Sequence, residues 1–328
     1  MTADQHYEIP EHTAVLGAGV IGASWTALFL AAGRSVAVYD VADDYESSVR
    51  SYIESVWPTL EALQLTANGS PDNITFHGSA TSAVENAGFI QESVPERLPV
   101  KHALFKEIES SLAKDAIIAS SASGLTLTEM QSGWERPARF ILGHPFNPPH
   151  LIPLVELLAN DKTDNDVLPQ AEAFYHYIGK VTIRVQREVP AHVANRLQAA
   201  LWREAISLVA DGVASVEDVD KAIWAGPGLR WAAMGPHQLF HLGAGVGGME
   251  EFCNRYGPSF HRWWDDLGTP ELTPETVGLL VDGLSKHTNK PKTVNNSQNP
   301  DQNEHSAETA YRDELIVAML NATRELRN

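Results

Sequence analysis

One cysteine, Cys253, stands in the whole chain of 328 residues. A lone thiol excludes an intrachain disulfide and any zinc site built from several cysteines. Basic residues are also scarce: 24 Lys and Arg stand against 42 Asp and Glu, for a net charge of −18. Phosphate backbones are gripped by Lys and Arg patches, so this balance argues against nucleic acid as a partner. It is compatible with a cationic small molecule. No apolar run approaches the roughly 20 residues of a membrane-spanning helix. The opening "MTADQHYEIPEH" carries no apolar core of a signal peptide. From these absences we expect no membrane, no nucleic acid and a reducing compartment, the cytoplasm.

What the chain does contain is an ordinary globular composition, 43% hydrophobic and 20% charged. Its length suffices for two domains with sizeable cores. The first strong pattern is "TAVLGAGVIGASWTALFLAAG", which reads as a buried strand, a Gly-rich turn and a helix. The turn has G-x-G-x-x-G spacing at Gly17, Gly19 and Gly22, with Val20 and Ile21 opening the helix. The first glycine permits the tight turn, the second lets backbone approach a pyrophosphate, and the third lets helix pack on strand. The helix N-terminus then offers free N–H groups to the anion. A second strand, "SVAVYD", ends on Asp40, 18 positions beyond Gly22. A carboxylate there accepts bonds from the adenosine ribose hydroxyls. Asp43 and Asp44 follow it, and their charge repels a 2′-phosphate, so the expected cofactor is NAD rather than NADP.

Short apolar runs recur at 74–78, 88–93, 116–120 and 139–143, separated by helical segments such as "VKHALFKEIESSL"; "LIPLVEL" and "KVTIRV" read as two further strands. This alternation predicts a doubly wound, largely parallel sheet. Ligands bind such sheets at the carboxyl ends of strands, which makes Glu92, Glu96 and Ser123 site candidates by position. Near residue 188 the pattern changes to helical spacing almost throughout. The expected architecture is therefore α/β, with an N-terminal Rossmann-type doubly wound parallel sheet (residues 1–187) and a C-terminal all-helical domain (188–328). Within the latter, residues 286–306 are polar and read as an exposed loop. A final amphipathic helix over about 307–326 aligns Tyr311, Leu315, Met319 and Ala322. His237 and His241 have the spacing of a metal pair, but no third ligand accompanies them and no metal is expected. The five tryptophans at 202, 224, 231, 263 and 264 suit core or interface.

Four segments, "GAGVIG", "ESVPERLPVKHALFKEI", "HPFNPPHLIPLVE" and "VANRLQAALWREA", resemble the 3-hydroxyacyl-CoA dehydrogenase superfamily over nearly the full chain. Within it, "GPGLRWAAMGPHQLFHLGAGVGGMEEF" and "ELTPETV" are most similar to the carnitine dehydrogenase branch, with the λ-crystallin/L-gulonate dehydrogenase branch more distant. The resemblance implies His144 as the general base and Glu156, twelve residues on across a proline-rich turn, as its partner. A neutral imidazole suits removal of a hydroxyl proton as hydride leaves carbon. A carboxylate on its far nitrogen fixes the tautomer and steadies the imidazolium. Pro145, Pro148 and Pro149 stiffen the turn that brings the carboxylate back.

By the same resemblance Ser123 and Asn195 contact the reacting oxygen and catalytic site, and Glu96 and Lys101 contact the cofactor. The acyl-CoA enzymes resemble each other in a Lys-rich helix after the second strand that meets the CoA phosphates. Here residues 41–79 hold one basic residue, Arg50, against Asp43, Asp44, Glu46, Glu54, Glu61 and Asp72. A polyanionic CoA meets like charge there, so a small 3-hydroxy acid is expected instead. For a carnitine-like substrate, Phe146, Trp231 and Phe240 are candidates to cage the quaternary ammonium. Arg196 or Arg230 is the candidate to meet its carboxylate. Oxidation of L-gulonate or of 3-hydroxybutyryl-CoA is the alternative activity. A non-catalytic NAD-binding crystallin-like protein is the alternative class. The family implies a homodimer formed through the helical domain.

Overall fold

The computed structural model describes residues 7–286 and 300–327. The chain divides into two compact units, one running to Asn195 and including Arg312–Arg324, the other holding Arg196–Tyr311. The first unit is built on an eight-stranded sheet of order β3-β2-β1-β4-β5-β6-β7-β8. The strands are β1 (His12–Leu16), β2 (Ser35–Tyr39), β3 (Ile74–Phe76), β4 (Phe89–Glu92), β5 (Ile117–Ser120), β6 (Phe140–Pro145), β7 (Leu154–Leu158) and β8 (Val181–Arg184). All neighbouring strands pair in parallel except β6 and β7, which run antiparallel. Every apolar run read as a strand in the sequence forms one.

Successive side chains of a strand point to opposite faces, and here both faces are covered. Val15, Phe89, Ile117, Ile141 and Leu157 feed one core; Leu16, Ile90, Ile118, Leu142 and Leu158 feed the other. On the first face lies α1 (Val20–Ala31), whose residues from Gly22 to Ala31 are all buried. A helix apolar all round belongs inside a structure rather than on its rim. Beside it pack α2 (Tyr45–Ala62) and α6 (Val167–Tyr177), with Phe174 stacked on Phe89 at 3.9 Å between ring centroids. The opposite face carries α3 (Ala80–Val84), α4 (Leu98–Ile108) and α5 (Leu127–Gln131). There Phe105 stacks on Trp134 at 4.7 Å and meets Phe140. A Thr126–Glu129 capping box starts α5, satisfying N–H groups the helix leaves open.

The second unit is helical: α7 (Ala194–Ala210), which begins in the first unit, α8 (Val216–Ala225), α9 (Pro227–Ala233), α10 (Pro236–Gly243), α11 (Gly248–Asp266) and α12 (Pro274–Ser285). Its centre is an aromatic cluster in which Phe240 of α10 stacks on Phe252 of α11 at 4.5 Å and meets Phe260. Many large apolar side chains stay in solvent, among them Trp202, Trp224, Trp263 and Trp264, each more than half exposed.

The expected polar loop at 286–306 falls largely on residues 287–299, outside the described ones. The last helix, α13, spans Pro300–Arg327 and so starts seven residues before the expected 307. Its polar first turns gave no apolar periodicity to read. The stripe seen in the sequence is solvent-facing: Tyr311, Leu315 and Met319 are about half exposed. Asn321 and Arg324 instead tie the helix to the end of α2, donating to the carbonyls of Ala62 and Leu63 at 3.0 and 2.7 Å.

Candidate active site

The polar residues singled out in the first unit gather at one edge of the sheet, the carboxyl ends of the parallel strands. Gly17 follows β1 with φ of +88°, and a Cβ there would lie 2.6 Å from the Ser93 backbone. A Cβ on Gly22 would lie 1.8 Å from the Gly17 carbonyl oxygen, so helix and turn meet with no room for a side chain. At Gly19, by contrast, a Cβ would meet nothing within 4 Å. The backbone is bare and open there, where α1 begins and its first N–H groups lack intrahelical partners. Val20 is 63% exposed beside this opening, and Ile21 is half-buried. Asp40 leaves β2 with its carboxylate across the turn: one oxygen accepts the Ala18 N–H at 2.5 Å, the other the Ala42 N–H at 2.9 Å. An acid at the second strand, a helix N-terminus and an uncovered glycine are the parts that hold a dinucleotide's ribose and pyrophosphate.

At the end of β4, Glu92 is fully buried and forms an ion pair with Lys101, 2.6 Å apart. The three ammonium protons of Lys101 go to both Glu92 oxygens and the Val94 carbonyl. Ser120 Oγ and the Val94 N–H complete the shell of Glu92. Lys101 is only 1% exposed. It lies on the buried side of α4, and its donors brace the end of β4. Glu96 reaches across to the loop after β5. Its carboxylate accepts the backbone N–H groups of Ser123, Gly124 and Leu125 and the Ser123 hydroxyl, the last at 2.9 Å. Partial burial raises its pKa, but these donors outweigh it and hold the carboxyl below its ordinary value.

His144 lies near the end of β6, 5% exposed, and Glu156 lies directly opposite in the antiparallel register of β7, 1% exposed. His144 Nδ1 is 2.8 Å from Glu156 Oε2. The preceding glycine is obligatory in this packing, because a Cβ on Gly143 would meet the buried Tyr175 hydroxyl at 2.3 Å. The connection between the strands is proline-stiffened, includes a cis Asn147–Pro148 bond, and starts with Phe146, half-buried, donating its N–H to the Leu154 carbonyl. The second oxygen of Glu156 accepts the N–H groups of Val193 and Ala194, both at 2.9 Å. Burial raises the Glu156 pKa, and the bonds from His144, Ala194 and Val193 bring it below the ordinary value, so it stays ionised. With the carboxylate on Nδ1, the proton sits there and Nε2 carries the free lone pair.

The same carboxylate thus organises the start of α7, where Asn195 is the next residue. One residue before Val193 stands His192, which the sequence reading did not single out. It is 4% exposed, its ring centroid is 5.0 Å from that of His144, and its φ is +51°. Only its position just ahead of "VANRL" hinted at it. No glycine marks the left-handed turn, which Ala191 and His192 both adopt. In the second unit, Arg196 on α7 and Arg230 on α9 are exposed, and Trp231 is 38% exposed. Phe240 is half-buried, stacked on Phe252 and edge-on to Phe260. Among the described residues no cluster of His, Cys, Asp and Glu could hold a metal, and no helix is long and apolar enough to cross a membrane.

A doubly wound sheet with a bare glycine turn, an acid after β2 and a carboxylate-bound imidazole at the same edge defines a nicotinamide-dependent dehydrogenase. Comparison with known proteins specifies which. The model of the 3-hydroxyacyl-CoA dehydrogenase NAD binding domain matches residues 12–189, and that of the 3-hydroxyacyl-CoA dehydrogenase C-terminal domain matches 192–271. The chain belongs to the 3-hydroxyacyl-CoA dehydrogenase family and is an oxidoreductase that uses NAD. It is 44% identical to an L-carnitine dehydrogenase of Streptomyces coelicolor over 273 residues, covering 83% of this chain and 86% of that one. It is 38% identical to an L-carnitine dehydrogenase of Pseudomonas putida over 311 residues, covering 95% and 93%. Among solved structures, FHMPC 5-dehydrogenase, an NAD+ dependent dismutase, matches with a TM-score of 0.80 at 28% identity, covering 97% of this chain and 99% of that one. A (S)-3-hydroxybutyryl-CoA dehydrogenase from Ralstonia eutropha shares the fold, with a TM-score of 0.62 at 22% identity over 84% and 94%.

Proposed function

We propose that this 3-hydroxy acid dehydrogenase oxidises the 3-hydroxyl of L-carnitine to 3-dehydrocarnitine, with His144 and Glu156 as its acid–base pair. The buried 2.8 Å contact between those two residues carries the chemistry. Glu156 keeps the Nδ1 proton in place, so Nε2 of His144 accepts the proton of the substrate hydroxyl. NAD supplies the hydride acceptor when bound. As the imidazole becomes cationic, the ionised Glu156 beside it stabilises the charge. Asn195, which follows directly on the Glu156-bound start of α7, would donate to the oxygen as it becomes a ketone, and Ser123, whose hydroxyl proton goes to Glu96, would help seat the nicotinamide. Removing a proton through a positioned base contributes about 10²- to 10⁴-fold.

Two observations support carnitine as the substrate. The matching relatives named for it reach 38–45% identity over most of the chain. The segment after β2 is acidic, which disfavours a CoA thioester. L-Gulonate and 3-hydroxybutyryl-CoA remain the alternatives. NADH formation with NAD and each of these compounds tests the reading: carnitine must give the highest kcat/KM.

We further propose a division of labour in which residues 1–187 hold NAD and 188–328 serve substrate and assembly. The protein then works as a cytoplasmic homodimer. Exposed tryptophans in the helical unit and the uncovered Tyr311–Leu315–Met319 stripe are large apolar surfaces of the kind that mark subunit contacts. Light scattering on the purified protein must give twice the 35.8 kDa chain mass.

A further inference from the structure

We infer that His192 binds the substrate: its imidazole, held beside His144, donates a hydrogen bond to the carboxylate of the same 3-hydroxy acid whose hydroxyl His144 deprotonates. The inference rests on the acid–base reading of His144 given above and adds a residue to it.

His192 is 4% exposed, yet among the described residues neither ring nitrogen has a hydrogen-bond partner. The Ala122 backbone is the one acceptor beside the ring, and a weak bond to it would occupy one nitrogen and leave the other without a partner. Buried polar groups in folded proteins are nearly always bonded, and an orphan points to a ligand or a functional role. Both nitrogens of a histidine are rarely left idle for packing, since a Phe or Leu would fill the space without the desolvation penalty.

The backbone tells the same story. Ala191 and His192 take φ of +62° and +51°, a left-handed pair without a glycine. Such strain persists only where the surroundings fix it, and it concentrates at functional sites. Glu156 braces the chain directly after the pair. One of its oxygens holds His144, and the other holds the N–H groups of Val193 and Ala194, immediately after His192. The His192 N–H closes the turn on the Val189 carbonyl at 3.2 Å. A single carboxylate therefore sets the position of both imidazoles, 5.0 Å apart between ring centroids and tilted by 51°.

That spacing suits a 3-hydroxy acid, whose hydroxyl carbon and carboxylate carbon are separated by one methylene. One ring takes the hydroxyl and its neighbour reaches the acid group. Burial and the neighbouring His144 both lower the His192 pKa, with the Ala122 backbone, Glu156 and Glu96 acting the other way. The ring is thus a neutral donor. When His144 takes up the substrate proton, no second cation sits beside it.

The test uses His192→Phe, which keeps volume and removes both nitrogens, and His192→Gln, which keeps a donor. Each is assayed with NAD and whichever 3-hydroxy acid the unmodified enzyme oxidises best. A second substrate is its analogue lacking the carboxylate; for L-carnitine this is β-methylcholine. NAD affinity and melting temperature are measured alongside. His192→Phe is expected to raise KM for the acid about 10- to 100-fold, with His192→Gln between it and the unmodified enzyme. NAD affinity should stay within about two-fold, and the melting temperature should hold or rise, because an unsatisfied buried group has gone. On the carboxylate-free analogue the effect of His192→Phe should shrink to about three-fold or less. An unchanged KM, a fall in melting temperature with KM intact, or the full KM effect on the analogue overturns the inference while leaving the acid–base reading standing. An unmodified enzyme that oxidises none of the acids overturns both.

Discussion

His144 and Glu156 stand opposite each other in the only antiparallel pairing of the eight-stranded sheet, their side chains 2.8 Å apart. Antiparallel register places directly opposed residues side by side on one face. A short proline-rich connection is therefore enough to bring a carboxylate twelve positions away back to an imidazole. His144→Ala is expected to lower kcat by about 10²- to 10⁴-fold while NAD affinity stays unchanged, read by steady-state rates and by nucleotide-binding fluorescence. Near-normal turnover would rule out His144 as the base.

Glu156→Gln should be nearly as damaging, for a different reason. An amide offers N–H groups to Nδ1 and reverses the tautomer, so Nε2 carries the proton and cannot accept one. The same change weakens the hold on Val193 and Ala194, so KM for the hydroxy acid should rise along with the fall in kcat. A variant with normal kcat and only a lower melting temperature would make Glu156 a structural residue.

Asp40 sets the cofactor preference. Its carboxylate closes on the Ala18 and Ala42 N–H groups and leaves further lone pairs for ribose hydroxyls, while Asp43 and Asp44 stand exposed beyond it. The unmodified enzyme should prefer NAD to NADP, and Asp40→Ala should narrow the ratio of the two kcat/KM values chiefly by weakening NAD. If the unmodified enzyme used both equally, electrostatic exclusion of the 2′-phosphate would be the wrong explanation.

The parts of this site that were legible in the sequence are those with local signatures. A G-x-G-x-x-G turn between strand and helix, and an acid at the end of the next strand, are consequences of a few consecutive residues. The eight strands were legible because buried strands read as short apolar runs. Lys101 and His192 were not. Whether a lysine lies in solvent or turns inward depends on Glu92, nine residues earlier on another element. The left-handed turn at Ala191 and His192 leads into the two N–H groups held by Glu156, more than thirty residues upstream, and no glycine announces it. The packing of Phe240 on Phe252 and Phe260 was not legible either, because aromatic stacking has no signature at the level of a single ring.

Acid should destabilise the protein partly through His150. This ring is buried against Ser24, with Nδ1 2.9 Å from the hydroxyl and Tyr52 at 3.3 Å. Burial, and then the Lys180 charge, lower its pKa to about 4; Asp313 opposes and Arg312 adds to the effect. In the unfolded chain the ring protonates near the ordinary 6.5. Between those values the unfolded state binds more protons, so the contribution is intact above about 6.5 and is lost as pH falls toward 4. The full effect is about 3 kcal/mol. Urea denaturation at several pH values should show this loss, and His150→Gln should flatten the curve over that window. An equally steep curve in the variant would assign the acid sensitivity to other groups.

The substrate prediction turns on Trp231. A trimethylammonium group has no N–H to donate, so aromatic faces hold it, each contributing about 0.5–2 kcal/mol. Of the rings considered, Phe240 already stacks on Phe252, whereas Trp231 on α9 keeps 38% of its surface open. Trp231→Leu is therefore expected to raise KM for L-carnitine about 2- to 30-fold, the span of that interaction energy. An uncharged 3-hydroxy acid should be affected less. Phe240→Leu should instead lower the melting temperature through lost packing, with a smaller change in KM. The comparison is made at saturating NAD with L-carnitine, D-carnitine, L-gulonate and 3-hydroxybutyryl-CoA. L-Carnitine must have the highest kcat/KM, and the Trp231 effect must follow the quaternary ammonium. Equal KM increases for charged and uncharged acids would make Trp231 part of the general pocket wall. Faster turnover of L-gulonate or of the CoA thioester would move the substrate assignment to another branch of the family, with His144 and Glu156 unaffected.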